Sequence, residues 1–234
     1  MGMANQRLIN HEKIIEKGSI KKFKIEFIPY YGLMSAMFVL FMGLLYVCGI
    51  DMQNWYANIG TVSYFILLPL IVSAFLIDLK EQIIPNRLVL TIFEIGLIFT
   101  FLDGIFSPSG MTIALNRLEG MIVGAGIFLI ITLLGGIIAG KEAMGMGDVK
   151  LMGALGLFFG LSNIMAISML SFVIGAVASI FLLLFKIKKP NEYVPFGPFI
   201  VIAVIIAMVV PEEILLDIFW FIFSGKWYSQ VLKK

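Results

Sequence analysis

Two aspartates stand at the ends of apolar segments, where a charged side chain is costly. Asp78 closes one segment in FLIDLKEQIIPNRL, and Asp148 opens another in AMGMGDVKL. Carboxylates at membrane depth are rare and mark functional sites. If the two groups meet in a poorly solvated site, they cannot both ionise easily, and one proton is shared between them. Such a pair can hydrolyse a peptide, because the charged member takes a proton from the attacking water while the neutral member donates to the carbonyl oxygen.

Few other side chains in the chain could perform comparable chemistry. The 234 residues contain one cysteine, Cys48, and one histidine, His11. An internal disulfide and a cysteine-only metal site are therefore excluded for these residues. His11 lies in a polar N-terminal arm and is expected to be solvated, while Cys48 lies in an apolar run. We expect neither a metal nor a cofactor.

The composition of the chain indicates whether these aspartates belong to a soluble protein or to a membrane protein. Hydrophobic residues make up 60% of the chain and charged residues 14%, with a mean hydropathy of +1.02. Soluble domains are roughly 45–50% apolar and about 25% charged. Apolar runs of about 20 residues, the length that spans a bilayer, recur along the sequence. The chain is therefore predicted to be an all-α, polytopic transmembrane helical bundle.

Eight apolar segments are expected, separated by polar or Gly- and Pro-rich connectors. They are residues 30–50, 57–77, 87–103, 119–139, 148–161, 163–185, 196–210 and 213–224. The fifth is short and meets the sixth at a GLSN turn. The eighth is short and contains Asp217, so two alternatives stay open: it spans the membrane, or it lies in the interface. The predicted domains are a basic arm at 1–28, a transmembrane domain at 29–225 and a tail at 226–234.

The lysines and arginines predict the orientation of the segments. With the N-terminus in the cytoplasm and the eighth segment spanning the membrane, 16 of the 17 basic residues lie inside, and Arg117 is the exception. Without the three lysines that follow the eighth segment, 13 of the other 14 still lie inside. The chain crosses the membrane twice between Asp78 and Asp148, so both aspartates are expected at the cytoplasmic face. Acids at the other segment ends, including Asp103, are expected to be solvated boundary residues. Glu94 lies within the third segment and is expected to be protonated and hydrogen-bonded in the bundle.

The glycines beside Asp148 fit a close approach to another helix or to an extended substrate. Gly145 and Gly147 permit backbone conformations that other residues avoid. Irregular backbone at membrane depth is tolerated only where it is buried in protein or lines a wet cavity. The alternative is structural: Asp148 would simply serve as the N-cap of the fifth helix.

Three sequence blocks resemble one known family. GMGDVKL resembles the GxGD signature of membrane aspartyl proteases, and IDLKEQIIPNRL resembles the first-aspartate motif of the type IV prepilin peptidases. VPFGPF is similar to that family's Pro-Phe-Gly-Pro segment, and here it contains Pro195, Phe196, Gly197 and Pro198. The order and spacing of the blocks match over roughly residues 28 to 210. Signal peptide peptidases and presenilins share GxGD but need a Pro-Ala-Leu motif, which does not occur in this sequence.

The resemblance implies an endopeptidase and its substrate. Family members cleave the short basic leader from prepilin-like precursors on the cytoplasmic side, just before the apolar helix. By correspondence of motifs, Asp78 and Asp148 are the catalytic pair, and Gly145 and Gly147 support the second aspartate. Lys150 is either a charge neighbour of the pair or a lysine that extends to the cytoplasmic interface.

Further consequences of the resemblance concern substrate docking and a second activity. Because the leader is basic, acidic residues such as Glu81 and Glu142 are expected to help bind it. Bifunctional family members have two CxxC pairs associated with zinc and with N-methylation, and this sequence has none. We therefore expect peptidase activity without methylation, in a multi-pass protein of the cell membrane whose partners are the precursor and lipid, with no nucleic acid.

Two alternatives stay open at this stage. The first is a membrane protein without enzymatic activity, a transporter or secretion scaffold in which the paired acids bind cations. The second is the same peptidase chemistry acting on preflagellins or on pseudopilins of secretion systems. The sequence indicates neither the precursor nor the oligomeric state.

Overall fold

The structure is a computed structural model that describes residues 58–139, 144–185 and 194–210, with isolated positions at 39–41, 43, 214 and 217. Every described residue lies in one compact unit, Met37–Lys234. The helices of the described part, in chain order, are α1 (Asn58–Glu81), α2 (Asn86–Phe106), α3 (Gly110–Ala139), α4 (Met146–Leu184) and α5 (Gly197–Val209). No strand occurs among these residues. Glu142 lies outside the described residues.

The helices have the length and composition of membrane spans. Helices α1 to α4 are each long and apolar enough to cross a membrane, with mean hydropathies between 2.0 and 2.5. Helix α5 is equally apolar but has only 13 residues. The prediction of a polytopic transmembrane helical bundle is confirmed. The predicted count of eight segments and the domain boundaries at 28 and 225 involve residues outside the described part and stay predictions.

Helix α4 is broken at Gly160. Its 39 residues would extend about 58 Å if straight, about twice the thickness of the hydrocarbon core. Gly160 has φ 72° and ψ −177°, a conformation that is essentially restricted to glycine. The break falls at the GLSN turn that separates the predicted fifth and sixth segments. The predicted boundary therefore coincides with a real interruption of the helix.

Contacts with α3 show that the chain reverses direction at this break. Gly124 of α3 lies against both Met152 and Ile164 of α4. In an unbroken helix these two residues would be about 18 Å apart, so one glycine could not touch both. Residues 146–159 therefore run antiparallel to α3, and residues 161–184 run parallel to it. The ring contact between Phe128 and Phe172, with centroids 5.1 Å apart, lies further along the parallel part.

The first part of α4 is the core of the bundle. Every residue from 151 to 160 is buried. Gly156 packs against the backbone of Gly120 so closely that neither glycine has room for a Cβ atom. Small residues at such a crossing let two membrane helices approach at backbone distance. The site-bearing end of α4 is thus anchored by a rigid contact with α3.

The prediction for one acidic residue at a segment end is wrong. Asp103 was expected to be solvated, but it is only 5% exposed and forms an ion pair with Arg117, with an N–O distance of 2.5 Å. The short link between α2 and α3 brings the two residues together. A buried charge is tolerated when it is paired, so each residue provides the partner that makes burial of the other possible.

The environment of Glu94 also differs from the one predicted from the sequence. Its side chain is exposed on α2 and is not buried within the described part of the bundle. An exposed position does not require the hydrogen bond inside the bundle that the sequence suggested.

Candidate active site

Asp78 lies in the last turn of α1 and is only 3% exposed. The helix ends at Glu81, and Gln82 then adopts a left-handed conformation with φ 55° while its N–H donates to the carbonyl oxygen of Asp78. Pro85 is the N-cap of α2, with φ −63°. The sequence after Asp78 therefore ends one helix and starts the next within a few residues, which fixes the position of the aspartate.

Asp148 lies in the first turn of α4 and is 4% exposed. The N-cap of this helix is Gly145, which has an extended backbone, and the N–H of Asp148 donates to the Gly145 carbonyl oxygen over 3.1 Å. The carboxyl group of Asp148 in turn accepts a hydrogen bond from the backbone N–H of Gly145. This reciprocal arrangement resembles a capping box. Asp148 is therefore not the N-cap, and the structural alternative is wrong about its position.

The N-terminus of α5 forms the third side of the site. Its first N–H groups have no partner inside the helix, and that of Gly197 donates to the carboxyl group of Asp78. A Cβ atom at residue 197 would lie 2.5 Å from Oδ2 of Asp78. Pro195 and Pro198, on either side of this glycine, are buried. The Pro-Phe-Gly-Pro segment thus places a backbone donor, with no side chain, against the first aspartate.

The two carboxyl groups lie close enough to each other that their charges would repel if both were ionised. Both are buried at the same end of the bundle, one from the end of α1 and the other from the start of α4. Oδ2 of Asp78 is buried and has no hydrogen-bond partner in the protein. Buried polar atoms are nearly always hydrogen-bonded, so an oxygen of this kind is available to a water molecule, a proton or a substrate.

The other predicted site residues differ in their relation to the pair. Gly147 lies against Ile84, and an added Cβ atom would be 3.1 Å from that side chain. Lys150 is exposed, and its Nζ donates to Oδ1 of Asn86 over 3.0 Å, so this hydrogen bond is made to an asparagine and not to an aspartate. Glu81 is exposed at the end of α1.

Two features of the site were not anticipated from the sequence. The donor role of Gly197 toward Asp78 was missed, although a glycine between prolines at the start of an apolar segment was a usable signal. The left-handed conformation of Gln82 carries no sequence signal, because glycine and asparagine are the residues usually expected there. No cluster of three or more His, Cys, Asp or Glu side chains able to hold a metal ion occurs among the described residues. The expected absence of a metal stays a prediction.

Comparison with known proteins shows which family the chain is similar to. The family model described as the type IV leader peptidase family matches residues 64–180, which include both aspartates. A prepilin leader peptidase/N-methyltransferase of Aeromonas salmonicida is 32% identical over 155 residues, covering 66% of this chain and 51% of that protein. A protein of the same name from Xanthomonas campestris pv. campestris is 35% identical over 127 residues, covering 54% and 42% of the two chains.

The match to these relatives is partial. A further protein of that name, from Pseudomonas aeruginosa, is 31% identical over 139 residues, covering 59% of this chain and 46% of its own. The chain thus spans about half the length of the relatives it matches. No solved structure matches. Because the family model covers half of the sequence, in the part that forms α1 to α4, the chain belongs to the type IV leader peptidase family.

Proposed function

We propose that this protein is an aspartic endopeptidase that removes the basic leader from type IV prepilin-like precursors. One observation carries the proposal: two buried carboxyl groups from α1 and α4 lie within range of mutual repulsion, and one of them has an oxygen without a partner. Family membership supports it independently. A buried carboxyl pair is the arrangement that activates water without a metal or a covalent nucleophile.

The proposed reaction is a general acid–base hydrolysis. The ionised carboxylate takes a proton from a water molecule while the water oxygen attacks the scissile carbonyl carbon. The second, protonated carboxyl group donates its proton to the carbonyl oxygen. When the tetrahedral intermediate collapses, the C–N bond breaks and the leaving amine takes up a proton from the pair. The backbone N–H groups of Gly197 and Gly145 hold Asp78 and Asp148 in place through these steps. Fixed donors of this kind do not have to reorganise during the reaction.

The proposed cut lies at the cytoplasmic face of the cell membrane. The charge distribution of the sequence favours a cytoplasmic N-terminus, and two crossings between the aspartates favour the same side for both. The basic leader then approaches from the cytoplasm, where the exposed Glu81 is available to bind it. Glu142 is proposed for the same role. Charge reversal at either residue is expected to raise KM with little change in kcat, and an unchanged KM would remove that residue from the docking site.

Methylation of the new N-terminus is not part of the proposed activity. The relatives are named for both a leader peptidase and an N-methyltransferase. The 234 residues of this chain contain a single cysteine, so they hold no CxxC pair. We propose that these residues support cleavage alone.

The decisive experiment is incubation of the purified full chain with candidate precursors, followed by mass spectrometry of the products. Prepilins, pseudopilins and preflagellins are compared side by side. The expected result is a single cut before the apolar helix, with an unmethylated new N-terminus even when S-adenosylmethionine is present. A properly inserted protein that cleaves none of the precursors would contradict the proposal, and proton or cation flux in proteoliposomes would then favour a transport function.

A further inference from the structure

A groove between the second part of α4 and α5 lies beside the end of α1 that carries Asp78. Its volume is about 720 Å³, within the range of ligand-binding pockets. At one end it is lined by Leu79 and Gln82, the first of which is the neighbour of Asp78. Pro195 and Pro198, which flank the Gly197 donor, form part of the same wall. The groove is therefore continuous with the structure that holds the Asp78 carboxyl group.

The wall formed by α4 is an exposed apolar stripe. Val173, Val177 and Phe181 are 41%, 62% and 55% exposed and follow one another at intervals of four residues. This spacing places them on one face of the helix over about 12 Å. Lipid covers apolar surface all around a membrane protein, so exposure alone does not identify a binding site. The distinguishing property of this stripe is that it borders a groove whose wall includes Leu79 and Pro198, the chain neighbours of Asp78 and Gly197.

A second groove of similar volume lacks this property. It lies between α2, α3 and the first part of α4, and the amine of Lys150 is part of its lining. A basic leader would be repelled by that ammonium group. Among the described residues, the groove beside Asp78 is lined by no charged side chain, and Gln82 is the single polar one. Charge complementarity thus favours the groove beside Asp78 for a segment that is apolar and is preceded by basic residues.

We infer that the groove between α4 and α5 binds the apolar helix of the precursor, so that the segment just before this helix reaches Asp78 and Asp148. This inference rests on the proposed function. Recognition of a helix by a groove depends on apolar side chains at helical spacing, which the stripe on α4 provides. Gln82, which lines the groove beside the end of α1, offers an amide to the backbone of the extended segment that precedes the apolar helix.

The test compares Val177→Trp with Leu183→Trp. The first variant fills the groove, while Leu183 is 47% exposed, lies about 120° further round the same helix and is not among the lining residues of the groove. Both positions are exposed, so a larger side chain is compatible with folding. Each variant is given two substrates: the full precursor, and a soluble peptide that contains the cleavage site without the apolar helix.

We expect Val177→Trp to lose activity toward the full precursor but not toward the soluble peptide. Val177→Trp lowers kcat/KM for the full precursor by about tenfold, the effect of roughly 1.4 kcal/mol of lost binding, and leaves cleavage of the soluble peptide unchanged. Leu183→Trp leaves both reactions unchanged. Cleavage of the full precursor by Val177→Trp at the wild-type rate would overturn the inference, and so would an equal loss on both substrates. If the inserted wild-type protein cleaves neither substrate, the proposed function fails, which is a different outcome.

Cross-linking provides a readout that does not depend on turnover. Cys48→Ala and Asp78→Asn are combined to give a cysteine-free, inactive chain, and Val177→Cys or Leu183→Cys is then added. A precursor with one cysteine in its apolar helix is expected to form a disulfide with residue 177 and not with residue 183. Equal cross-linking at both positions, or none at residue 177, would contradict the inference even if the soluble peptide were a poor substrate.

Discussion

Gly197 donates its backbone N–H to the carboxyl group of Asp78, and there is no room for a side chain between them. The contact joins the first turn of α5 to the last turn of α1. It gives a physical reason for glycine at this position: a Cβ atom would lie 2.5 Å from Oδ2, the carboxyl oxygen that has no hydrogen-bond partner. The orientation of the first aspartate therefore depends on a residue far along the sequence.

Gly197→Ala tests this dependence. The added methyl group has to displace the Asp78 carboxyl group or shift α5, and a misplacement of about 1 Å in an active site can lower the rate by about 100-fold. We expect such a loss in kcat for precursor cleavage, with the protein still inserted. Gly126→Ala is the matched control, because an added Cβ atom there meets nothing within 4 Å. Wild-type kcat in Gly197→Ala would show that the contact does not position the carboxyl group.

Replacement of either aspartate by asparagine tests the pair itself. Asp78→Asn and Asp148→Asn keep the shape of the side chain but remove the capacity to exchange a proton, which is worth about 10²–10⁴-fold in rate. Each variant alone is expected to abolish detectable cleavage in a mass-spectrometric assay. Glu94→Gln, a matched change at an exposed acid of α2, is expected to retain activity. Retained cleavage in either aspartate variant would eliminate the proposed mechanism.

The sequence predicted which side of the membrane holds the site, but not how the site is built. An even number of crossings between Asp78 and Asp148 is enough to predict a common face, and glycine in the GLSN turn is enough to predict an interruption near residue 160. Neither argument specifies depth or contact. The proximity of Gly197 to Asp78 depends on how α5 packs against α1, which no local pattern reports.

The burial of Asp103 was missed for a related reason. Its position at a segment end suggests contact with water, whereas its environment is decided by the packing of α2 against α3. Arg117 is close enough in sequence to be a candidate partner, but spacing across a link does not tell whether the two side chains face each other. Whether two side chains form an ion pair inside a bundle depends on tertiary packing. The distribution of basic residues in the sequence identified Arg117 only as the one cation on the outer side.

Breaking the Asp103–Arg117 pair is expected to destabilise the bundle without changing the chemistry. Removal of one partner from a buried ion pair costs about 3–5 kcal/mol, because the other charge is left buried and unpaired. Arg117→Met should lower the thermal unfolding temperature measured in detergent, and Asp103→Leu combined with Arg117→Met should recover part of the loss. The kcat of the remaining folded protein should equal that of the wild type. Equal unfolding temperatures for Arg117→Met and the wild type would show that the pair contributes no net stability.

Substitution of Gly160 tests the reversal of α4, because this reversal requires a backbone conformation that is nearly exclusive to glycine. At φ 72° and ψ −177° any other residue is strained by about 1–3 kcal/mol. A Cβ atom would also lie 2.5 Å from Nδ2 of Asn116, whose Oδ1 accepts the N–H of Leu161 over 3.1 Å. Gly160→Ala is therefore expected to lower the unfolding temperature, and Asn116→Ala to lower it less, by the loss of one hydrogen bond worth about 1 kcal/mol.

The double variant separates the two contributions at this position. Gly160→Ala with Asn116→Ala removes the collision with the Asn116 amide but keeps the backbone strain, so its destabilisation should be smaller than the sum of the two single effects. Gly60→Ala, where an added Cβ atom meets nothing within 4 Å, is the control for the glycine-to-alanine change. A strictly additive result would show that Asn116 moves away without cost. An unchanged unfolding temperature in Gly160→Ala would mean that the chain does not need a left-handed glycine at residue 160 to reverse its direction.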